Sequence, residues 1–162
     1  MPDSTDSTDA TPDHPADRAT VRTIRVSALV LRRDDTMLMV RKRGTTAYML
    51  PGGKPEPGEA PIDTIIREVD EELGLPLTRE DLEELGTFEA PAANEADHQV
   101  IGDVFVHRGM PDGFDFDDIR PQAEIDSVAW FAPDALPEDS AALTIAPLTR
   151  DRVVPALARH GG

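Results

Sequence analysis

The sequence predicts an α/β protein with a mixed β-sheet between helices. Three observations carry that expectation. Aliphatic and β-branched runs of strand length recur along the chain, some adjacent and some separated by a helix. Residues 61–73 repeat their apolar side chains at helical spacing. A second helical stretch, residues 147–160, stands near the C-terminus.

Taken in order, residues 1–20 are rich in Asp, Ser, Thr and Pro and read as a disordered acidic tail, because they hold too little apolar surface to offset ordering entropy. Residues 21–162 then read as one domain. Residues 23–33 form a first strand, Asp34-Asp35 a turn and residues 37–43 its partner strand. Gly44 breaks that strand, and the short extended piece 48–50 leads into Pro51-Gly52-Gly53. Two prolines and a glycine make residues 54–59 a loop. In the helix over 61–73, Pro61 suits the first turn, where its missing N–H costs nothing. Ile62, Ile65, Ile66, Val69 and Leu73 make its apolar stripe, and Gly74 caps its end. Strands follow at 85–90 and 100–107, a loop at 109–123 and a strand at 125–131. Pro155 must kink or displace the last helix.

The charge balance narrows the partners. With 32 acidic and 16 basic residues the formal net charge is −16, which repels polymeric nucleic acid. A small phosphorylated ligand is compatible with that surface if cations gather locally. Cysteine is absent, which removes disulfides, thiolate metal sites and cysteine nucleophiles together. No apolar run is long enough to span a membrane, and no secretory leader is visible, so the expected location is cytoplasmic.

The helix over 61–73 carries the chemistry. At about 100° per residue, Glu68, Glu71 and Glu72 fall within an arc of about 100°, at the edge of the apolar stripe. Like charges at i,i+3 and i,i+4 destabilise an isolated helix. Arg67 can pair with Glu71 or Asp63 but cannot neutralise the group. Oxygen-only ligands suit hard cations such as Mg²⁺ or Mn²⁺. An acidic run also commonly marks nothing more than a solvated helix face. The preceding loop favours the metal reading: Gly52 and Gly53 permit close backbone approach, and Glu59 is placed to fold back on the cluster.

This segment resembles the Nudix box: Gly, five residues, Glu, seven residues, Arg-Glu, aliphatic, any residue, Glu-Glu, any residue, Gly, aliphatic. Gly53, Glu59, Arg67, Glu68, Val69, Glu71, Glu72, Gly74 and Leu75 stand in those places. The Leu50-Pro51-Gly52 lead-in is also similar. The resemblance implies a Nudix-like α/β/α sandwich and a hydrolase of phosphoanhydride bonds in nucleoside diphosphate derivatives, dependent on Mg²⁺ or Mn²⁺. It implies that Glu68, Glu71 and Glu72 bind metal together with the Gly52 carbonyl. Arg67 would orient the carboxylates, and Glu59 would support the loop or the metal shell. A later glutamate assists in many members; Glu124 is the best candidate, with Asp117, Asp118 and Asp126 as alternatives and a plain loop carboxylate about as consistent. Glu72 or Glu124 would accept the proton of the attacking water.

Arg41 and Arg43 share one strand face, opposite Lys42; the resemblance makes one of the two the expected phosphate contact, with a rim salt bridge as the alternative. Stacking of a base would need Tyr48, Phe88, Phe105 or Phe131; Trp130 belongs to the core, and His98 and His107 are placed to flank a cleft, although isolated histidines are usually not catalytic. A mutator-type (d)NTP pyrophosphohydrolase fits the small domain. ADP-ribose or nucleotide-sugar hydrolysis is the main rival, because Pro91, 16 residues beyond the box, lies close to where ADP-ribose-preferring members carry a proline. A non-catalytic nucleotide-sensing module is the alternative of another class, although such modules often lose box glutamates. The resemblance also admits a homodimer.

Overall fold

The computed structural model describes residues 20–109 and 115–161; the acidic segment read as a tail therefore lies almost wholly outside the described residues. Two mixed sheets are present where one was expected. In the first, β1 (Arg22–Val30) runs parallel to β7 (His98–His107) and antiparallel to β5 (Gly52–Gly53), and β6 (Leu82–Pro91) pairs antiparallel with β7. In the second, β3 (Thr36–Lys42) pairs antiparallel with β2 (Arg32–Arg33), β4 (Ala47–Met49) and β8 (Ile125–Phe131), and β9 (Thr144–Ile145) runs parallel to β4.

Strand alternation sorts the apolar residues onto two faces. Leu29, Leu31, Leu38, Val40 and Phe105 pack with Ile65, Val69 and Leu73 of α1 (Pro61–Leu73). Ala28, Val30, Met37, Met39 and Val104 pack with Leu148, Val153 and Leu157 at the C-terminal end. Helices thus cover opposite faces, as the sandwich requires. Ile65, Val69 and Leu73 are essentially inaccessible; burying each contributes roughly 1.5–3 kcal/mol, which fixes α1 and the carboxylates on its edge.

Helix α1 has the bounds that its sequence dictates: Pro61 in the first turn, and Gly74 left-handed at φ 65°, its N–H closing onto the Asp70 carbonyl. The C-terminal helix differs from expectation. Residues 148–153 are π-helical, and only α2 (Val154–His160) is α-helical. Pro155 has no N–H to donate to the carbonyl four residues back, and the Val154 N–H instead reaches Thr149, five residues back. The expected kink is thus accommodated as a wider turn. Trp130 is partly buried against the core, with Arg33 over its ring. No helix among the described residues is long and apolar enough to cross a membrane.

Candidate active site

The site is built where α1 docks on the glycine turn. β5 lies against β1 with Gly52 opposite Ala28 and Gly53 opposite Ser27. Gly52 has φ 150°, and a Cβ there would fall 1.9 Å from the Ser27 carbonyl oxygen. At Gly53 a Cβ would fall 2.4 Å from the Glu68 carboxyl carbon. The two glycines therefore do different work: the first lets backbone meet backbone, the second leaves room for a carboxylate.

Glu72 lies beneath the turn. It is 2% exposed, and its Oε2 accepts the Gly52 N–H at 3.0 Å. Its Oε1 is buried with no partner. Burial, first of all, pushes the carboxyl up to about 8, and Glu68 and Glu124 add to the rise while the Gly52 amide and Lys42 oppose it.

Arg67 holds the rest of the helix edge. Its Nε and Nη2 grip Glu59 at 2.8 and 2.9 Å, its Nη1 reaches Glu68 at 2.9 Å and Glu71 at 3.4 Å, and Nη2 also donates to the Lys54 carbonyl. Of its two expected partners it thus reaches Glu71, whereas Asp63 is paired with Arg79. Glu59 additionally accepts the Glu56 N–H and the Thr64 hydroxyl. Hydrogen bonding from Arg67, above all, holds its carboxyl down at about 2. Glu59 therefore ties the loop to α1. Glu71 is the outermost of the three helix carboxylates, its side chain 54% exposed.

A cleft of about 410 Å³ opens beside the turn. Along β1 its lining runs from Ala28, beside Gly52, to Ile24, opposite Val100; at about 3.3 Å per residue that is roughly 13 Å. Glu68, Gly53, Lys42 and Glu124 give it a charged end. Ile24, Val26, Val100 and Leu148 give it an aliphatic end, with Asn94 and Glu95 from the β6–β7 hairpin among the lining residues. Gly102 in β7 leaves space for Leu148, whose Cδ2 would be 2.7 Å from a Cβ there.

The residues expected to contact phosphate stand outside the cleft lining. Lys42 lines the cleft; Arg41 and Arg43 do not. The register of β3 on β8 shifts between Arg41 and Lys42, and β3 ends at Lys42, so simple alternation does not continue to residue 43. Arg41 is taken by Asp126 at 2.9 Å and lies over Tyr48. Glu124 does line the cleft, whereas Asp117, Asp118 and Asp126 do not. No aromatic ring or histidine is among the lining residues; Tyr48 is buried on Ser127 and Phe131, and His98 is turned onto the Ala96 carbonyl. The aliphatic end was not anticipated, because only the pairing of β1 with β7 and the π-turn bring its residues together.

Among the described residues no three acidic or histidine side chains converge at metal-ligating spacing. Glu68 and Glu71 are turned onto Arg67. The donor chemistry nevertheless fits a hard divalent cation. Every donor is oxygen, the buried Glu72 Oε1 lacks a partner, and Glu68 stands beside the same turn.

Comparison with known proteins bears on the family and the fold. The family model described as "NUDIX domain" matches residues 21–152. A Bacillus subtilis (strain 168) protein described as "Putative 8-oxo-dGTP diphosphatase" is 26% identical over 109 residues, 67% of this chain and 66% of that protein. An "Uncharacterized Nudix hydrolase" of the same organism is 37% identical over 76 residues, 47% of this chain and 46% of that protein. The solved MutT protein of Methanosarcina mazei Go1 superposes with a TM-score of 0.64 at 21% identity, covering 86% of this chain and 96% of that one, and shows the shared fold.

Proposed function

Since the chain belongs to the Nudix family, we propose that it is a divalent-metal-dependent hydrolase that cleaves a pyrophosphate linkage in a nucleoside diphosphate derivative, with mutator-type (d)NTP hydrolysis as the first reading. The observation that carries it is the Glu72 Oε1, a buried carboxylate oxygen without a partner beside a glycine turn. A purely structural salt-bridge network would not leave it so, because a buried polar atom without a hydrogen-bond partner is costly.

Glu68 and Glu72, with Glu71 and the Gly52 carbonyl, would hold Mg²⁺ or Mn²⁺. The ion supplies charge against the phosphate oxygens and acidifies a water. The chain's own residues do the positioning. Arg67 and Glu59 fix the loop against α1, so that Glu68 is presented over Gly53. Lys42 replaces Arg41 and Arg43 as the cation facing the phosphates. Glu124 lies in the cleft and Glu72 behind it, so Glu124 is the better placed to accept the water's proton. Phosphoryl transfer needs positioning and electrostatics more than a protein nucleophile, and none is invoked. The aliphatic end receives the nucleoside between side chains.

ADP-ribose hydrolysis is the second reading, favoured by one observation: Pro91 lies in the cleft wall. The test is a panel of dNTPs, ADP-ribose and a UDP-sugar incubated with the protein and Mg²⁺ or Mn²⁺, with products separated by ion exchange. Nucleoside monophosphate plus pyrophosphate from a dNTP supports the first reading, and AMP plus ribose 5-phosphate the second. Binding without cleavage of any compound supports a sensing module and overturns the hydrolase.

A further inference from the structure

β3 and β8 leave register by one residue where they meet the cleft. Arg41 is opposite Ser127 but Lys42 is opposite Ile125, so Asp126 has no partner across the ladder. The bulge sorts four charged side chains into two pairs. Arg41 and Asp126 pair at 2.9 Å outside the cleft lining. Lys42 and Glu124 pair at 2.8 Å inside it. We propose that the Lys42–Glu124 pair is a latch that a phosphate group opens: the Lys42 ammonium exchanges Glu124 for the substrate's phosphate, and Glu124 is thereby released toward the attacking water. This deepens the hydrolase reading above and rests on it.

The two pairs are not equivalent. Arg41 is committed, since its guanidinium also lies 5.3 Å from the Tyr48 ring centroid. Lys42 is a compact charge on a flexible stem, suited to changing partner. The Glu124 backbone is held by the Arg43 N–H at 2.9 Å, so its carboxylate can turn while its position is kept. Glu124 is 60% exposed in its side chain. An ion pair so solvated contributes less than about five-fold to an equilibrium constant, whereas a charge-assisted bond to phosphate contributes roughly ten- to hundred-fold. The exchange therefore runs toward phosphate. Until it occurs, Lys42 masks a carboxylate that would repel the entering anion.

The test is a double-mutant cycle read by calorimetric binding of α,β-methylene-ADP with Mg²⁺, a diphosphate whose bridge cannot be hydrolysed. Lys42→Met should weaken binding roughly ten-fold or more, and Lys42→Arg should restore most of it. Glu124→Gln should tighten binding by about two- to five-fold, because Lys42 no longer has a partner to leave. That tightening should vanish in the Lys42→Met background. Tightening that persists there is loss of simple repulsion and overturns the latch, as does unchanged binding by Lys42→Met or no binding by the unaltered protein. Turnover is measured separately on the nucleotide panel. Coupling without turnover of any compound sinks the hydrolase reading and leaves only a binding latch; turnover without coupling sinks the latch alone.

Discussion

Replacing Gly53 by alanine tests the site with a single methyl group. Its φ is not positive, so the backbone accepts alanine; the new Cβ would stand 2.4 Å from the Glu68 carboxyl carbon and 2.6 Å from both of its oxygens. Ordinary contact begins near 3.4 Å, so the carboxylate must withdraw by about 1 Å, and a misplacement of that size can cost about a hundred-fold in rate. Withdrawal also loosens the partly exposed Arg67–Glu68 pair at 2.9 Å, a loss of at most about 1 kcal/mol of stability. The expected outcome is a folded protein whose kcat falls about a hundred-fold. Gly52→Ala is the control with the opposite signature: its Cβ would stand 1.9 Å from the Ser27 carbonyl oxygen at φ 150°, so the fold itself should fail or lose several kcal/mol. Steady-state pyrophosphate release with Mg²⁺ and thermal denaturation read both variants. A Gly53→Ala protein that turns over within three-fold of the unaltered one would refute the role given to Glu68.

Other perturbations separate the remaining parts. Glu72→Gln keeps an acceptor for the Gly52 N–H and removes a buried titratable group whose folded value is raised; with chelator at pH 8 its Tm should rise by about 2 °C or more, turnover assayed separately with Mg²⁺ should be lost, and a fall in Tm would contradict the account of Glu72. Glu59 has its folded pKa depressed from 4.5 to about 2, so it contributes stability that is present above about pH 4.5 and lost as pH falls toward 2. Denaturation curves across that window should show Glu59→Gln weakening less steeply than the unaltered protein. Gly102→Ala would place a Cβ 2.7 Å from Leu148 Cδ2 and press Leu148 into the aliphatic end. KM should rise with kcat little changed, and a pure kcat effect would show that this end does not hold the nucleoside.

Much of the scaffold was legible because its signals are local. Pro61 and Gly74 bracket a helix whose apolar period leaves no other reading, and residues 125–131 form the strand that their composition dictates. Glu68 and Glu72 followed from the same period. What was not legible depends on pairing between distant segments. Whether Arg41 or Lys42 faces the cleft is decided by a register shift against β8, more than eighty residues away. The π-turn at 148–153, which carries Leu148 over Gly102, needs both Pro155 and the sheet beneath it. Glu59 and Asp63 stand four residues apart, yet Arg67 takes the first and Arg79 the second, a choice set by where the loop returns to α1.

The distribution of neutralised and unneutralised charge separates a working site from an acidic helix face. Arg67, the one cation on α1, is taken up by Glu59, Glu68, Glu71 and the Lys54 carbonyl and does not itself line the cleft. Its Nε and Nη2 serve an anchoring carboxylate that is not a candidate ligand. Inside, Glu68 and Glu124 line the wall, Glu72 is buried behind them with one oxygen unpartnered, and the cations facing them are Lys42 and Lys54. A carboxyl buried there with its pKa held at about 8 rather than 4.5 is destabilising at neutral pH, and glutamine or leucine at position 72 would avoid that cost. At 2% exposure and bonded to the Gly52 amide, Glu72 is a carboxyl whose ionised form external positive charge would favour. A protein of net charge −16 attracts such charge over its whole surface, and beside Gly52 a close backbone approach meets a buried carboxyl oxygen without a partner.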